Sequence, residues 1–164
     1  MTKQTKITFN LKGLDNLSKE IGDTYRARVG ILGAYAPRAG ETKDSLNNAT
    51  LGVIQMFGSV TKNIPPRDFL YTPVFSHAKE IVSAMQVPSV KAAMVSGNIK
   101  KVYDLLGAAA LAIVLKGFET GGFGQWAPNK PSTIAAKGSA SVLIDTGQLR
   151  RAQTSDTVKK SEVS

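Results

Sequence analysis

Cysteine is absent from this chain, and its absence removes any disulfide framework and any thiolate metal site. It also fits assembly in a reducing cytoplasm. Histidine occurs once, as His77, so an imidazole metal cluster or a Ser-His-Asp triad would hang on a single ring. A surface histidine is the plainer reading. Long apolar runs are missing too. The longest, Leu105 to Leu115, is too short to span a bilayer, and no membrane partner is expected. Met1 to Lys6 has no apolar core behind its charges and does not read as a signal peptide. No internal repeat and no second domain stand out.

What remains is a chain of 164 residues with 42% hydrophobic and 20% charged residues, the balance of one soluble globular domain with a real core. Its formal charge is +9, which favours polyanionic partners, DNA among them. The basic residues are spread from Lys3 to Lys160 rather than gathered in one run, so a solvated surface is the plainer reading of that charge.

Taken in order, Lys6 to Leu11 alternates Ile7, Phe9 and Leu11 with polar residues and predicts a strand. Leu14, Leu17 and Ile21 predict a short amphipathic helix over 13–21. Tyr25 to Leu32 predicts a second strand, with Ala27, Val29 and Ile31 on one face and Arg26 and Arg28 on the other. Ala34 to Asn48 reads as a long loop, and loops of that length are usually functional. Gly30-Ile31-Leu32-Gly33 is a poor match to a phosphate-cradling loop because no Gly-Lys-Ser/Thr follows. A helix over 48–57 is expected next, capped by Asn48 and facing inward through Leu51, Ile54 and Phe57.

Pro65 and Pro66 fix an extended segment that delivers Phe69 and Leu70 to the core. Arg67 is either a single exposed charge or a guanidinium satisfying carbonyls or a carboxylate at a subunit contact. Val74 to Val87 predicts one helix through Ile81, Val82 and Met85, followed by a partly helical connector from Pro88 to Asn98. Ser76 and Lys79 match a Ser-x-x-Lys pattern of acyl enzymes, but the Lys-Thr-Gly box that would accompany it is absent. Asn98 caps a long, largely enclosed helix from Ile99 to about Phe118. A second long loop covers 118–138, in which Trp126 either seals the core edge or plugs into a neighbour, and Ser132 to Lys137 offers one helical turn. Val142 to Ile144 predicts a short strand. Asp145, three residues before Gln148, has capping-box spacing for a short helix through Ala152. Gln153 to Val158 predicts a closing strand.

Two stretches carry more specificity than the rest. Trp126-x-Pro128, Thr133 and Lys137, then Leu143-Ile144-x-Thr146-Gly147-x-Leu149-Arg150, resemble the C-terminal signature of the virion-morphogenesis or tail-completion proteins of tailed bacteriophages. Ile64-Pro65-x-Arg67-x-Phe69-Leu70 resembles a second motif of that family. The likeness runs in outline over residues 25 to 158. Where the family commonly ends a helix in Glu-Phe-Gly, this chain has Met56-Phe57-Gly58, so no charge pairing carries over there.

The resemblance implies a structural virion protein of the neck, not an enzyme, with no cofactor and no metal. It implies a homo-oligomeric ring of about six or twelve copies, closed by a head-to-tail interface. Its partners would be neighbouring neck, tail-terminator or tail-tube proteins, with non-specific contact to genomic DNA in the channel. The place implied is the virion, after assembly in the host cytoplasm. Ile64, Pro65, Arg67, Phe69, Leu70, Trp126, Pro128, Asp145, Thr146, Gly147, Leu149 and Arg150 are then the structural or interface candidates. The expected fold is a single α+β domain over 1–164: a mostly antiparallel sheet on one long helix, short helices, two long loops, and loose or neighbour-docked ends near 1–5 and 159–164. Two rivals stand beside this reading, a basic nucleic-acid-binding module and a small serine hydrolase built on Ser76 and Lys79.

Overall fold

The computed structural model describes residues 24–33 and 46–162. The predicted strand at 6–11, the helix at 13–21 and most of the 34–48 loop lie outside them. The architecture is α+β: seven α-helices and a two-stranded antiparallel sheet among the described residues.

Strand β1 (Tyr25–Gly30) pairs with β2 (Thr154–Lys159), with Tyr25 opposite Lys159 and Gly30 opposite Thr154. Arg28 and Asp156 face each other across the ladder and join in a two-pronged ion pair of 2.8 and 2.6 Å. The strand predicted over Tyr25 to Leu32 thus ends two residues early, and the closing strand is shifted by one at each end. Lys159 belongs to the ladder instead of a loose tail, and it leads into a 3₁₀ turn over Lys160–Glu162.

The remaining elements are α1 (Asn48–Phe57), α2 (Tyr71–Ser76), α3 (Ala78–Ala84), α4 (Pro88–Val95), α5 (Ile99–Glu119), α6 (Pro131–Lys137) and α7 (Gln148–Arg151). Helix α5, 21 residues and roughly 31 Å long, packs on both strands and on α2, α3 and α4. Asn98 caps it, accepting from Lys101 N at 3.2 Å, as the sequence predicts. Ile99, Val102, Ala110, Ile113, Val114 and Phe118 are its buried stripe. The helix meets the sheet at Gly107, where an added Cβ would lie 3.2 Å from Ser155 Cβ and 3.7 Å from Ala27 Cβ.

Several local expectations change. Asn47, not Asn48, caps α1, accepting from Thr50 N at 2.8 Å. Phe57 is 71% exposed, and Met56 takes its inward place against Phe69, Val114, Phe118 and Leu149. The single helix expected over 74–87 is broken at His77. There the backbone leaves helical geometry at φ −108°, ψ 22°, both the backbone N and the side-chain Nδ1 lie within 3.1 Å of Pro73 O, and the ring stacks on Phe123 at 3.8 Å. The connector after Pro88 is a true helix. Pro88 opens it, and Gly97 N→Met94 O with Asn98 N→Ala93 O close it in a Schellman pattern.

Val142-Leu143-Ile144 is not a strand. Leu143 sits at φ 57°, outside extended geometry, and with Ile144 it packs as a loop against Phe69 and Leu149. Asp145 caps nothing, because α7 starts from Gly147 in the left-handed region, two residues further on.

Candidate functional site

The segment after α1 turns through a bridge between Ser59 and Ile64 and then runs extended through Pro65 and Pro66. Proline has no N–H to offer a ladder, so this stretch is anchored by its neighbour Arg67 instead. Arg67 N donates to Gln55 O at 2.8 Å. The Arg67 side chain is 7% exposed and crosses to the loop 60 residues away, donating Nε to Ala127 O at 3.0 Å and Nη2 to Pro128 O at 3.2 Å. Of the readings left open for Arg67, the carbonyl-satisfying one holds, and the carbonyls belong to its own chain. Burial weighs against its charge and lowers its pKa from that of a free guanidinium.

Next door, Asp68 gathers the start of α2. Its carboxylate accepts from Leu70 N at 3.0 Å, Tyr71 N at 2.8 Å, and both Thr72 N and Thr72 Oγ1 at 2.8 Å. Burial alone would raise its pKa, but the Thr72, Leu70 and Tyr71 donors outweigh burial and hold it below the ordinary carboxylate value. The Asp68 carbonyl in turn accepts Trp126 Nε1 at 3.1 Å. Trp126 stands edge-on to Phe118 at 5.7 Å, and Phe118 meets Phe69 at 5.2 Å. Trp126 thereby seals the core edge of its own chain. The loop bends sharply to place it: Gly122 has φ 69°, and a Cβ there would fall 2.3 Å from the indole.

The two motifs are therefore one structure. Phe69 and Leu149 share a buried cluster, with Leu70 and Trp126 packed against it. Ile64, Pro65, Arg67, Pro128 and the run Asp145-Thr146-Gly147 line a cleft of about 510 Å³ with Leu149 at its floor. Arg150 stands apart, tied to Glu119 at the end of α5.

Sequence reasoning named Thr133 and Lys137 within the C-terminal motif but missed Lys62, Asn129 and Lys130, which complete this cleft. Lys62, Lys130 and Lys137 line it, with Asn129 and Thr133. Lys130 Nζ donates to Asn63 O at 3.1 Å and Lys137 Nζ to Ser141 O at 2.6 Å, while Asn129 Nδ2 reaches Ala140 O and Ser141 O at 3.1 Å each. The one signal available was the short run Asn129-Lys130-Pro131 inside the C-terminal motif. Among the described residues, Asp145 is the single acidic side chain in the lining.

The hydrolase pair is placed differently. Ser76 ends α2 and Lys79 is the second residue of α3, with the break at His77 between them. His77 Nε2 lies 3.9 Å from Glu80. Among the described residues no group of three or more acidic or histidine side chains could hold a metal ion, and no helix is long and apolar enough to cross a membrane. Compared with family models, with characterised proteins and with solved structures, the chain finds no match.

Proposed function

We propose that this chain is a structural component of a tailed-bacteriophage virion, a neck or tail-completion protein that forms a ring at the head–tail junction and joins tail to head. The observation that carries this reading is the convergence of the two resembling motifs. Residues 64–70 and 126–150 are far apart in sequence, yet Arg67, Asp68, Trp126 and Leu149 lock them into one unit with a cleft on its face. Motif residues that build a single junction are what a shared architecture requires, whereas chance matches would scatter.

The surface suits assembly as well. A closed ring needs two different complementary patches on each subunit. Two apolar patches stand on separate elements. Val53, Phe57 and Val60 are 57%, 71% and 99% exposed along α1 and the turn after it. Tyr71, Phe75 and Val82 are exposed on α2 and α3, with Tyr71 against Phe75 at 4.3 Å. Exposed apolar clusters of this kind mark interaction surfaces.

The deciding measurement is the mass of the purified protein in solution, alone and mixed with tail tubes from a phage lacking it. A ring, formed alone or only on tail ends, is expected. The charge of +9 supports a second reading as a nucleic-acid-binding module. A protein that ignores tails and binds free DNA with a steep salt dependence would establish that reading instead.

A further inference from the structure

Arg67 is nine-tenths buried, and its guanidinium bonds only to the neutral carbonyls of Ala127 and Pro128 among the described residues. A buried cation with no counter-charge is an expensive feature, and an anion brought to it gains what its own chain withholds. Arg67 lines a cleft in which the other described cations are likewise without a carboxylate: Lys130 and Lys137 spend their bonds on backbone carbonyls, and Lys62 is exposed at the edge. Between these charges Ile64, Pro65, Leu143 and Leu149 give the lining apolar surface, shared with the amides of Gln55 and Asn129 and, among the described residues, with one carboxylate, Asp145, against the four cations.

We propose that this cleft docks an acidic peptide segment of a partner protein, one carboxylate pairing with Arg67 and the apolar side chains beside it lying on Ile64, Pro65 and Leu143. Its size falls within the about 300–1,000 Å³ of pockets that enclose a ligand, and cations beside apolar walls suit a peptide that carries both kinds of side chain. Nucleic acid fits less well. A single strand calls for aromatic stacking platforms along an open groove, and among the described residues no aromatic side chain lines this cleft.

A second copy of this chain also fits less well. It brings a like charge of +9, and among the described residues its Asp68, Glu80, Asp104, Glu119, Asp156 and Glu162 are already held by its own groups, while its Asp145 lies in the same cleft. Charge complementarity therefore favours a different and more acidic protein. This inference stands on the cleft and not on the virion role, so a chain that never joined a tail would still bind.

The test uses the full chain and a fluorescein-labelled peptide of alternating leucine and glutamate, read by anisotropy in low salt. The glutamate peptide is expected to bind and to weaken as salt is added, while its glutamine counterpart does not bind. The double variant Lys62→Glu/Lys130→Glu should weaken binding at least ~10-fold, since the charges it reverses face the bound segment. Lys79→Glu/Lys91→Glu, which changes net charge equally on α3 and α4, should leave affinity within about twofold. Arg67→Met, with folding checked by Trp126 emission, should abolish binding. The proposal fails if the glutamine peptide binds equally, if the two double variants weaken binding alike, or if a DNA oligonucleotide binds more tightly and is the ligand lost with Lys62 and Lys130.

Discussion

At the scale of single residues, the junction depends on two positions with little freedom. Asp68 ties four donors at the mouth of α2, and those donors hold its carboxyl below the ordinary value despite burial. A carboxylate whose folded-state pKa lies below its unfolded one contributes stability that is fully present above about pH 4 and fades as pH falls through the folded value. Asp68→Ala is therefore expected to cost about 1–2 kcal/mol at neutral pH, the range of a lost helix cap. The loss should shrink in acid, so urea midpoints of the two proteins should converge as pH falls below the ordinary carboxylate range and through the folded value. A gap that stays constant with pH would mean the cap acts through packing alone. Gly122 is the second such residue. Its φ of 69° and the indole 2.3 Å from its missing Cβ leave no room for a side chain. Gly122→Ala should displace Trp126, breaking its bond to Asp68 O and costing about 2–3 kcal/mol from backbone strain and the lost contact together. Trp126 is the only tryptophan, so a red shift of emission in the folded variant reports the displacement directly.

At the scale of elements, α5 is the mast on which the sheet and three short helices are stepped. The close approach at Gly107 lets it lie against Ala27 and Ser155 on the two strands. Gly107→Leu should prise helix from sheet and destabilise by about 1–3 kcal/mol, the usual cost of overpacking. Thermal unfolding followed at Trp126 would measure it, and a loss confined to noise would show that the sheet can shift freely. This mast was legible in the sequence because a long stripe of apolar residues and a capping asparagine agree. The shorter pieces were less so. Helix α4 buries only Val90 and Ala93, too few positions to declare a period. The run Val142-Leu143-Ile144 reads as a strand because an apolar triplet looks alike in a ladder and in a packed loop; only the φ of Leu143 separates them. The site divided in the same way. Its motif residues were nameable in advance, but the carbonyls that Arg67 reaches lie 60 and 61 residues away. Lys62 and Lys130, which join Lys137 in the cleft, share no spacing either, because tertiary folding alone gathers them.

At the scale of the whole molecule, the distinguishing question is whether copies meet by unlike patches or by like ones. An isologous contact joins the same patch on two subunits and stops at a dimer, whereas a heterologous one joins different patches and continues until it closes. The apolar surfaces around Phe57 on α1 and around Phe75 on α2 are exposed, so charging either should change stability by no more than about 0.5 kcal/mol while removing one patch. If the proposed ring closes through these two patches, Phe57→Asp alone and Phe75→Asp alone should each remain monomeric under conditions where the unaltered protein assembles. Mixed together, each variant still carries the patch its counterpart lacks. One intact junction is then possible per pair, and sedimentation should show a dimer that grows no further. If the contact were isologous, one of the two variants would assemble unimpaired and mixing would add nothing. The mixture therefore reads out the symmetry of the interface and not merely its existence, which is the property a ring between head and tail must have.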